Sequence, residues 1–298
     1  MKFIGTGLSG LVGSRIVELL SPKHAFTNYS LENGIDITDR EGILSRIAGE
    51  TGASWVLHLA AYTNVQQAEK DRLLGEKSTA WKVNVEATQN IIDACIASDK
   101  RLLYVDTDYA FDGTQKTYNE DDTPNPQGWY AITKSEGAKR VLAMGKQGLV
   151  IRISNPYRAN PVGKTDFAHK MLERLMAGEA IVAPVDQLFV PTFVDDIAAG
   201  IDALTSGNAT GIYHVVGSEA ISPFDAARAV ARTFGFNEGL VKETSFAAYF
   251  SGRAPVPQYA VLTNNKIRAL GVDLRGFNDG IAEVKKQEIS APKTTEQH

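Results

Sequence analysis

The chain has 298 residues, of which 43% are hydrophobic and 22% charged, ordinary globular values that exclude a disordered or fibrous protein. A formal net charge of -4 supplies no basic surface for nucleic acid or an anionic membrane, so neither is expected as a partner. The single cysteine, Cys95, excludes an intrachain disulfide and suits a reducing compartment.

Cys95 lies in the apolar-periodic stretch Asn84 to Ala97, the setting of a core thiol rather than a nucleophile. The chain enters MKFIGTGLSG without an apolar signal core, and no window approaches the ~18 apolar residues of a membrane span, so an unprocessed cytoplasmic protein is expected. The histidines at 24, 58, 169, 214 and 298 show no metal-ligand spacing, and no metal is expected.

Short apolar runs alternate with helical patterns through the first half, the mark of βαβ units building a parallel sheet. The patterning predicts strands at Lys2 to Gly5, Ala25 to Asn28, Trp55 to Leu59, Leu102 to Asp106 and Val150 to Ser154. Helices are predicted at Gly10 to Leu20, Glu41 to Thr51, Thr79 to Ser98 and Tyr130 to Met144. Beyond residue 154 the pattern loosens into a helix at Phe167 to Ala177, a Pro-punctuated segment at Ala183 to Thr192, a helix at Asp195 to Leu204 and a strand at Gly211 to Val216. Ser222 and Pro223 read as N-cap and first residue of a helix reaching Phe234. The expected fold is α/β, a Rossmann-type doubly wound parallel sheet with a smaller C-terminal α/β lobe. The polar tail from about Glu288 is expected to be mobile.

Gly5-Thr6-Gly7-Leu8-Ser9-Gly10-Leu11-Val12-Gly13 follows an apolar strand and opens a helix. It reads as Gly5-x-Gly7-x-x-Gly10 or as Gly7-x-x-Gly10-x-x-Gly13. Either spacing lets the backbone approach a pyrophosphate, whose charge meets the helix N-terminal amides. No carboxylate stands at the end of the second strand to bind the ribose 2′-hydroxyl of NAD, and Arg15 lies within reach of a 2′-phosphate, which favours NADP, with NAD the alternative. Asp36 and Ile37 are candidates for the adenine edge. Leu59, Ala60 and Ala61 end the third strand in small residues against which a flat cofactor can lie. His58 beside them reads as a satisfied core histidine, and the Asn84 amide as a tie for backbone near the site.

Tyr130 and Lys134, spaced i and i+4, share a helix face, and an ammonium beside a phenol lowers its pKa and lets it exchange a proton with a carbonyl oxygen. The same lysine suits the nicotinamide ribose. Thr107 emerges at the carboxyl end of the fourth strand, where ligands of parallel sheets lie, and its hydroxyl can orient that oxygen.

The glycine loop, the Leu-Ala-Ala strand end, the helix from Asn84 to Asn90, Thr107-Asp108-Tyr109 and Tyr130-x-x-x-Lys134 occur in the order of the extended short-chain dehydrogenases. Within them the chain resembles the dTDP-4-dehydrorhamnose reductases, through Asp106 to Phe111, Asp186 to Thr192 with Asp195-Asp196, Gly211 to His214, and Arg253-Ala254-Pro255 leading to Leu262 and Lys266. The resemblance implies an NAD(P)-binding Rossmann domain over residues 1–154, with 188–217 returning to it, and a substrate-binding lobe over 155–187 and 218–298. It implies a catalytic triad of Thr107, Tyr130 and Lys134, with Tyr130 protonating the C4 oxygen of a 4-keto-6-deoxy sugar nucleotide as NADPH delivers hydride. Cofactor contacts are implied for Gly7, Gly10, Leu11, Val12, Gly13, Asp36, Ile37, Leu59, Ala60 and Ala61. Substrate contacts are implied for Asp108, Tyr109, Asn155, Gln187 and Arg253.

The family is commonly dimeric, so a homodimer is expected, but no residue here matches the magnesium site sometimes found at its subunit contact. Two departures stand out: Asp106 replaces the usual serine before the threonine, and Asn155 replaces an aromatic that packs on the sugar. Two other readings fit the motifs, an epimerase or dehydratase that retains NAD, and a cofactor-binding regulator similar to the beta subunit of methionine adenosyltransferase. Dehydratases place an acidic pair after the threonine, where Asp108-Tyr109 supplies one acid, and intact Tyr130 and Lys134 weigh against a regulator.

Overall fold

The computed structural model describes residues 1–290. Six parallel strands form its main sheet: β1 (Lys2–Thr6), β2 (Ala25–Tyr29), β3 (Ala53–His58), β4 (Arg101–Thr107), β5 (Gly148–Ile153) and β6 (Gly211–His214), in the order β6-β5-β4-β3-β1-β2. The chain winds outward from β1 in both directions, so the strand order reverses between β1 and β3. In an open parallel sheet, the crevice outside the carboxyl ends at such a reversal is where a ligand binds.

Strand side chains alternate between two apolar cores, as expected for a sheet covered on both faces. Phe3, Trp55, Leu57, Leu103, Leu149 and Ile151 face one core. It is closed by α1 (Leu11–Leu20) and by the helix Val194–Ser206, and it also takes in Ile267, Val272 and Leu274 from near the C-terminus. Ile4, Val56, Leu102, Tyr104 and Val150 face the other. There α2 (Arg40–Gly49), α3 (Ala87–Ala97) and α4 (Trp129–Leu142) pack. Cys95 is buried in this second core, its thiol pushed up to about 12 by burial.

A third core joins α5 (Phe167–Met176), α6 (Pro223–Phe234) and α7 (Phe277–Ser290) around Tyr157, Phe189 and Phe277. Short parallel pairs stitch this lobe: Ile181–Pro184 with Val241–Thr244, Leu188–Phe189 with Tyr259–Ala260, and Pro156–Tyr157 with Thr192–Phe193. The Pro-punctuated segment thus supplies three strand pieces. Ser222 caps α6 by accepting from the Asp225 amide, with Pro223 at its first residue, as the sequence indicates.

The structure corrects three expectations. The helix read as continuous from Thr79 to Ser98 contains a π turn over Lys82–Glu86. The strand read to Val216 leaves the ladder after His214. The tail read as mobile from Glu288 begins one helical turn too early: Glu288 to Ser290 close α7, and Glu288 accepts from His169 Nε2 at 2.7 Å, while residues 291–298 lie outside the described part. Among the described residues no helix is long and apolar enough to cross a membrane.

Candidate functional site

The β1-to-α1 turn is built around backbone contact. Gly7 has φ +72°, and a Cβ placed there would stand 2.6 Å from the Ala60 amide nitrogen at the end of β3. A Cβ on Gly13 would overlap Gly7 O and stand 2.6 Å from Leu8 Cα. Gly10 is exposed and open on its outer side, and it caps α1 without any side-chain hydrogen bond. The first amides of a ten-residue helix therefore face outward with no acidic residue in their turn, the electrostatic setting of an anion cradle.

A crevice of about 480 Å³ opens from this turn along the carboxyl ends of β3, β4 and β5. Gly7, Gly10, Leu11, Val12 and Gly13 line one end, Leu59, Ala60 and Ala61 its floor, and Thr107, Asp108, Tyr130, Lys134 and Asn155 the other end. A second cavity of about 540 Å³ continues from it into the lobe, sharing Asn155, Phe167 and Lys170 and adding Tyr109 and Gln187.

The polar end is held in place from below. Asn84, inside the π turn, accepts from the Tyr62 amide at 2.8 Å and donates to Tyr62 O and to Thr133 Oγ1. Thr133 in turn donates to Tyr130 O. Asn84 thus ties the loop after β3 to the helical turn that carries Tyr130 and Lys134. His58 is fully buried between Thr6 Oγ1 (2.7 Å) and Thr88 Oγ1 (3.0 Å), and burial with the Lys134 charge pushes it down to about 3, a neutral core histidine as read.

Lys134 is 3% exposed, with Nζ 3.9 Å from the centre of the Tyr104 ring. Burial lowers it to about 8, against the opposing pull of Asp106. Tyr130 behaves otherwise than its spacing suggests. Burial and the Asp106 charge raise its phenol above the usual value, Thr107 lowering it and Asp108 raising it further. The lysine lies on the phenyl face of Tyr104, and the phenol meets more negative than positive charge, so Tyr130 stays a neutral phenol.

Thr107 donates to Asp108 Oδ1 at 3.0 Å and accepts from the Tyr109 amide. Asp108 also accepts from Ser154 at 2.6 Å, and burial lifts its carboxyl to about 6 despite those bonds. The Tyr109 ring meets Tyr130 edge-on at 6.3 Å. Asn155 has φ +38°, a left-handed conformation that asparagine tolerates better than an aromatic, and it stands between the two cavities. Gln187 is buried and donates to Pro257 O.

Four candidates line neither cavity. Asp36 is exposed and closes its own turn by accepting from the Thr38 amide and hydroxyl, and Ile37 packs against the second core. Arg253 is exposed, its guanidinium 4.3 Å from the centre of the Tyr249 ring, with Tyr249 itself on the lobe cavity wall. Arg15 is engaged by acids of this chain: it forms a two-pronged pair with Asp195 at 2.7 and 2.8 Å and also bonds Glu18. The sequence reading missed Lys164, Thr165, Asp166 and Lys170, which bring polar groups from the lobe over the crevice, Lys164 reaching Thr63 Oγ1 at 3.4 Å. No spacing in the sequence links that loop to Thr63, which lies 101 positions earlier.

Known proteins resemble this chain over nearly its whole length. The RmlD substrate binding domain model matches residues 1–289. The dTDP-4-dehydrorhamnose reductase of Streptomyces griseus is 31% identical over 291 residues, covering 95% of this chain and 92% of that protein. The enzyme of the same name from Mycolicibacterium smegmatis is 28% identical, covering 97% and 86%. The crystal structure of dTDP-4-dehydrorhamnose reductase from Bacillus anthracis in complex with NADP superposes with a TM-score of 0.86 at 26% identity, covering 96% of this chain and 99% of that one. On this evidence the chain belongs to the RmlD substrate binding domain family.

Proposed function

We infer that this protein is an NADPH-dependent reductase of a nucleotide-linked 4-keto-6-deoxy sugar, of the dTDP-4-dehydrorhamnose reductase type. The observation that carries the reading is the meeting, in one crevice, of an anion cradle with Thr107, Tyr130 and Lys134. The cradle fits a dinucleotide: its glycines bring backbone against backbone where any side chain would intrude, and the amides at the start of α1 have no side-chain cap.

When bound, the nicotinamide supplies hydride to the carbonyl carbon of the sugar. Tyr130, held as a phenol, gives its proton to the carbonyl oxygen, so ketone, hydride and proton together make the alcohol. Thr107 orients that oxygen. The Lys134 ammonium suits the nicotinamide ribose and the charge left on the phenol. In this reading Asp108, Tyr109, Asn155 and Gln187 surround the sugar and its diphosphate, Lys170 supplies positive charge at the junction of the two cavities, and residues 155–187 and 218–298 serve as the substrate lobe. Arg253, stacked on the cavity-wall residue Tyr249, belongs to the same reading at the rim of the lobe cavity.

Loss of NADPH absorbance with a panel of keto sugar nucleotides tests the assignment. Turnover of a 4-keto-6-deoxy member is expected, and tight cofactor binding without turnover of any member refutes it. Product formed without added NADPH would mark a cofactor-retaining epimerase or dehydratase. A cytoplasmic homodimer completes the proposal, and sedimentation of the purified chain at its monomer mass would remove the dimer.

A further inference from the structure

Three polar side chains lie in a row on the sheet face that α4 covers. Asp106 on β4 is in register with Arg152 on β5, and Arg152 with His214 on β6. The Asp106 side chain is wholly excluded from solvent and that of Arg152 nearly so. Arg152 Nε donates to Asp106 Oδ2 at 3.2 Å, and its Nη1 lies 3.3 Å from His214 Nε2. Burial and the Arg152 charge push His214 down to about 3, so it stays neutral and accepts. Asp106 Oδ1, by contrast, is buried with no hydrogen-bond partner among the described residues. Had the pair evolved for stability alone, a two-pronged arginine contact would have satisfied both oxygens, because a bare buried acceptor is costly.

The position of that carboxylate gives it a use. Side chains two apart on a strand share a face, so Asp106 follows Tyr104, whose ring carries the Lys134 ammonium. Asp106 also lines the crevice beside Tyr130 and Lys134. We propose that Asp106 is a positioning residue: its buried carboxylate, on the same strand face as the ring that carries Lys134, holds that side chain as an ammonium beside the phenol of Tyr130. The proposal rests on the reductase reading above.

The other groups around Lys134 and Tyr130 do not supply this charge. His58 on β3 is neutral, and Tyr104 on β4 is held as a phenol by burial. Arg152 opposes Asp106 from β5, and Asp108, in the turn after β4, is lifted to about 6 and bonded to Ser154 and Thr107. From the lobe, Lys164, Asp166 and Lys170 line the crevice on its open side. Asp106 is the charge that resists the loss of the Lys134 proton, and burial apart, it is the strongest influence on Tyr130.

The test follows NADPH affinity by nucleotide fluorescence across neutral and alkaline pH, together with the pH profile of keto-sugar reduction. In the wild type, affinity is expected to fall as pH passes through about 8, and Lys134→Met should abolish that limb. Asp106→Asn should move the midpoint down by about one pH unit, Arg152→Met should move it up, and Asp106→Glu should hold it near the wild-type value. A merely structural pair would lower stability or amplitude in every variant and leave the midpoint where it was. Coinciding midpoints for Asp106→Asn and wild type overturn the proposal; if Asp106→Asn does not fold, an unmoved Arg152→Met midpoint does so. Variants showing these binding shifts, with a wild type that turns over no keto sugar nucleotide, support the role of Asp106 and refute the substrate reading.

Discussion

Two glycines of one turn should respond to the same substitution in opposite ways. Gly7→Ala places a methyl group 2.6 Å from the Ala60 nitrogen and 2.9 Å from its Cα, at a backbone φ of +72°. The left-handed conformation costs a residue with a Cβ ~1–2 kcal/mol, and forcing two backbone segments apart costs ~1–3 kcal/mol. The variant should therefore lose about 2–5 kcal/mol, which at ~2–4 °C per kcal/mol lowers the thermal midpoint by roughly 4–20 °C. Gly10→Ala has φ -81°, an exposed site and no neighbour nearer than Gly7 O at 3.4 Å. Its stability cost should stay below ~1 kcal/mol, the usual scale for a changed cap. Yet its methyl group sits where a diphosphate must approach the α1 amides, so NADPH affinity should fall at least about tenfold, or ~1.4 kcal/mol. Differential scanning fluorimetry and NADPH fluorescence titration on both variants separate the two effects. A Gly10→Ala protein that binds NADPH as tightly as wild type would refute the cradle.

Tyr130→Phe should keep NADPH affinity and lose ~10²–10⁴ in turnover, because only the proton donor is removed; steady-state kinetics check this. Arg15→Met should leave the ratio of NADPH to NADH affinity unchanged and lower stability by about 1 kcal/mol or less, because the guanidinium serves the partly exposed Asp195 pair rather than a 2′-phosphate. His169 links Asp166 to Glu288; although burial opposes it, the hydrogen bonds its ring donates to the two carboxylates raise it to about 9. A raised histidine stabilises fully below its unfolded value near 6.5 and loses that contribution as pH climbs through about 9. Chemical denaturation at several pH values should show up to ~3 kcal/mol lost over that window in wild type and not in His169→Gln. Asn84→Ala should cost ~2–3 kcal/mol, since it strands buried groups on Tyr62 and Thr133, and should reduce kcat more than it weakens NADPH binding.

What the sequence conveyed was local: period-two apolar runs for strands, glycine spacing for the β1-to-α1 turn, and the i, i+4 spacing of Tyr130 and Lys134. Residues whose meaning depends on a distant partner could not be read in the same way. Arg15 looked free because Asp195 lies 180 positions away. The charge felt by Tyr130 was misjudged for a related reason. Helical spacing brings Lys134 to the same face, but the strand beneath decides that its ammonium rests on Tyr104 and that Asp106 lines the crevice beside the phenol. The helix Phe277–Ser290 was in fact announced by Phe277, Ile281 and Val284 at i, i+4 and i+7, a pattern passed over in a polar C-terminal stretch.

Ile267, Val272 and Leu274 complete the apolar layer beneath the main sheet, although the chain before and after them builds the lobe. Cutting the polypeptide once between β5 and Ile267 would therefore leave the main sheet with an unfilled underside. Neither half is a cassette that recombination can exchange intact, and new substrates must be reached by altering side chains and short loops on a shared frame.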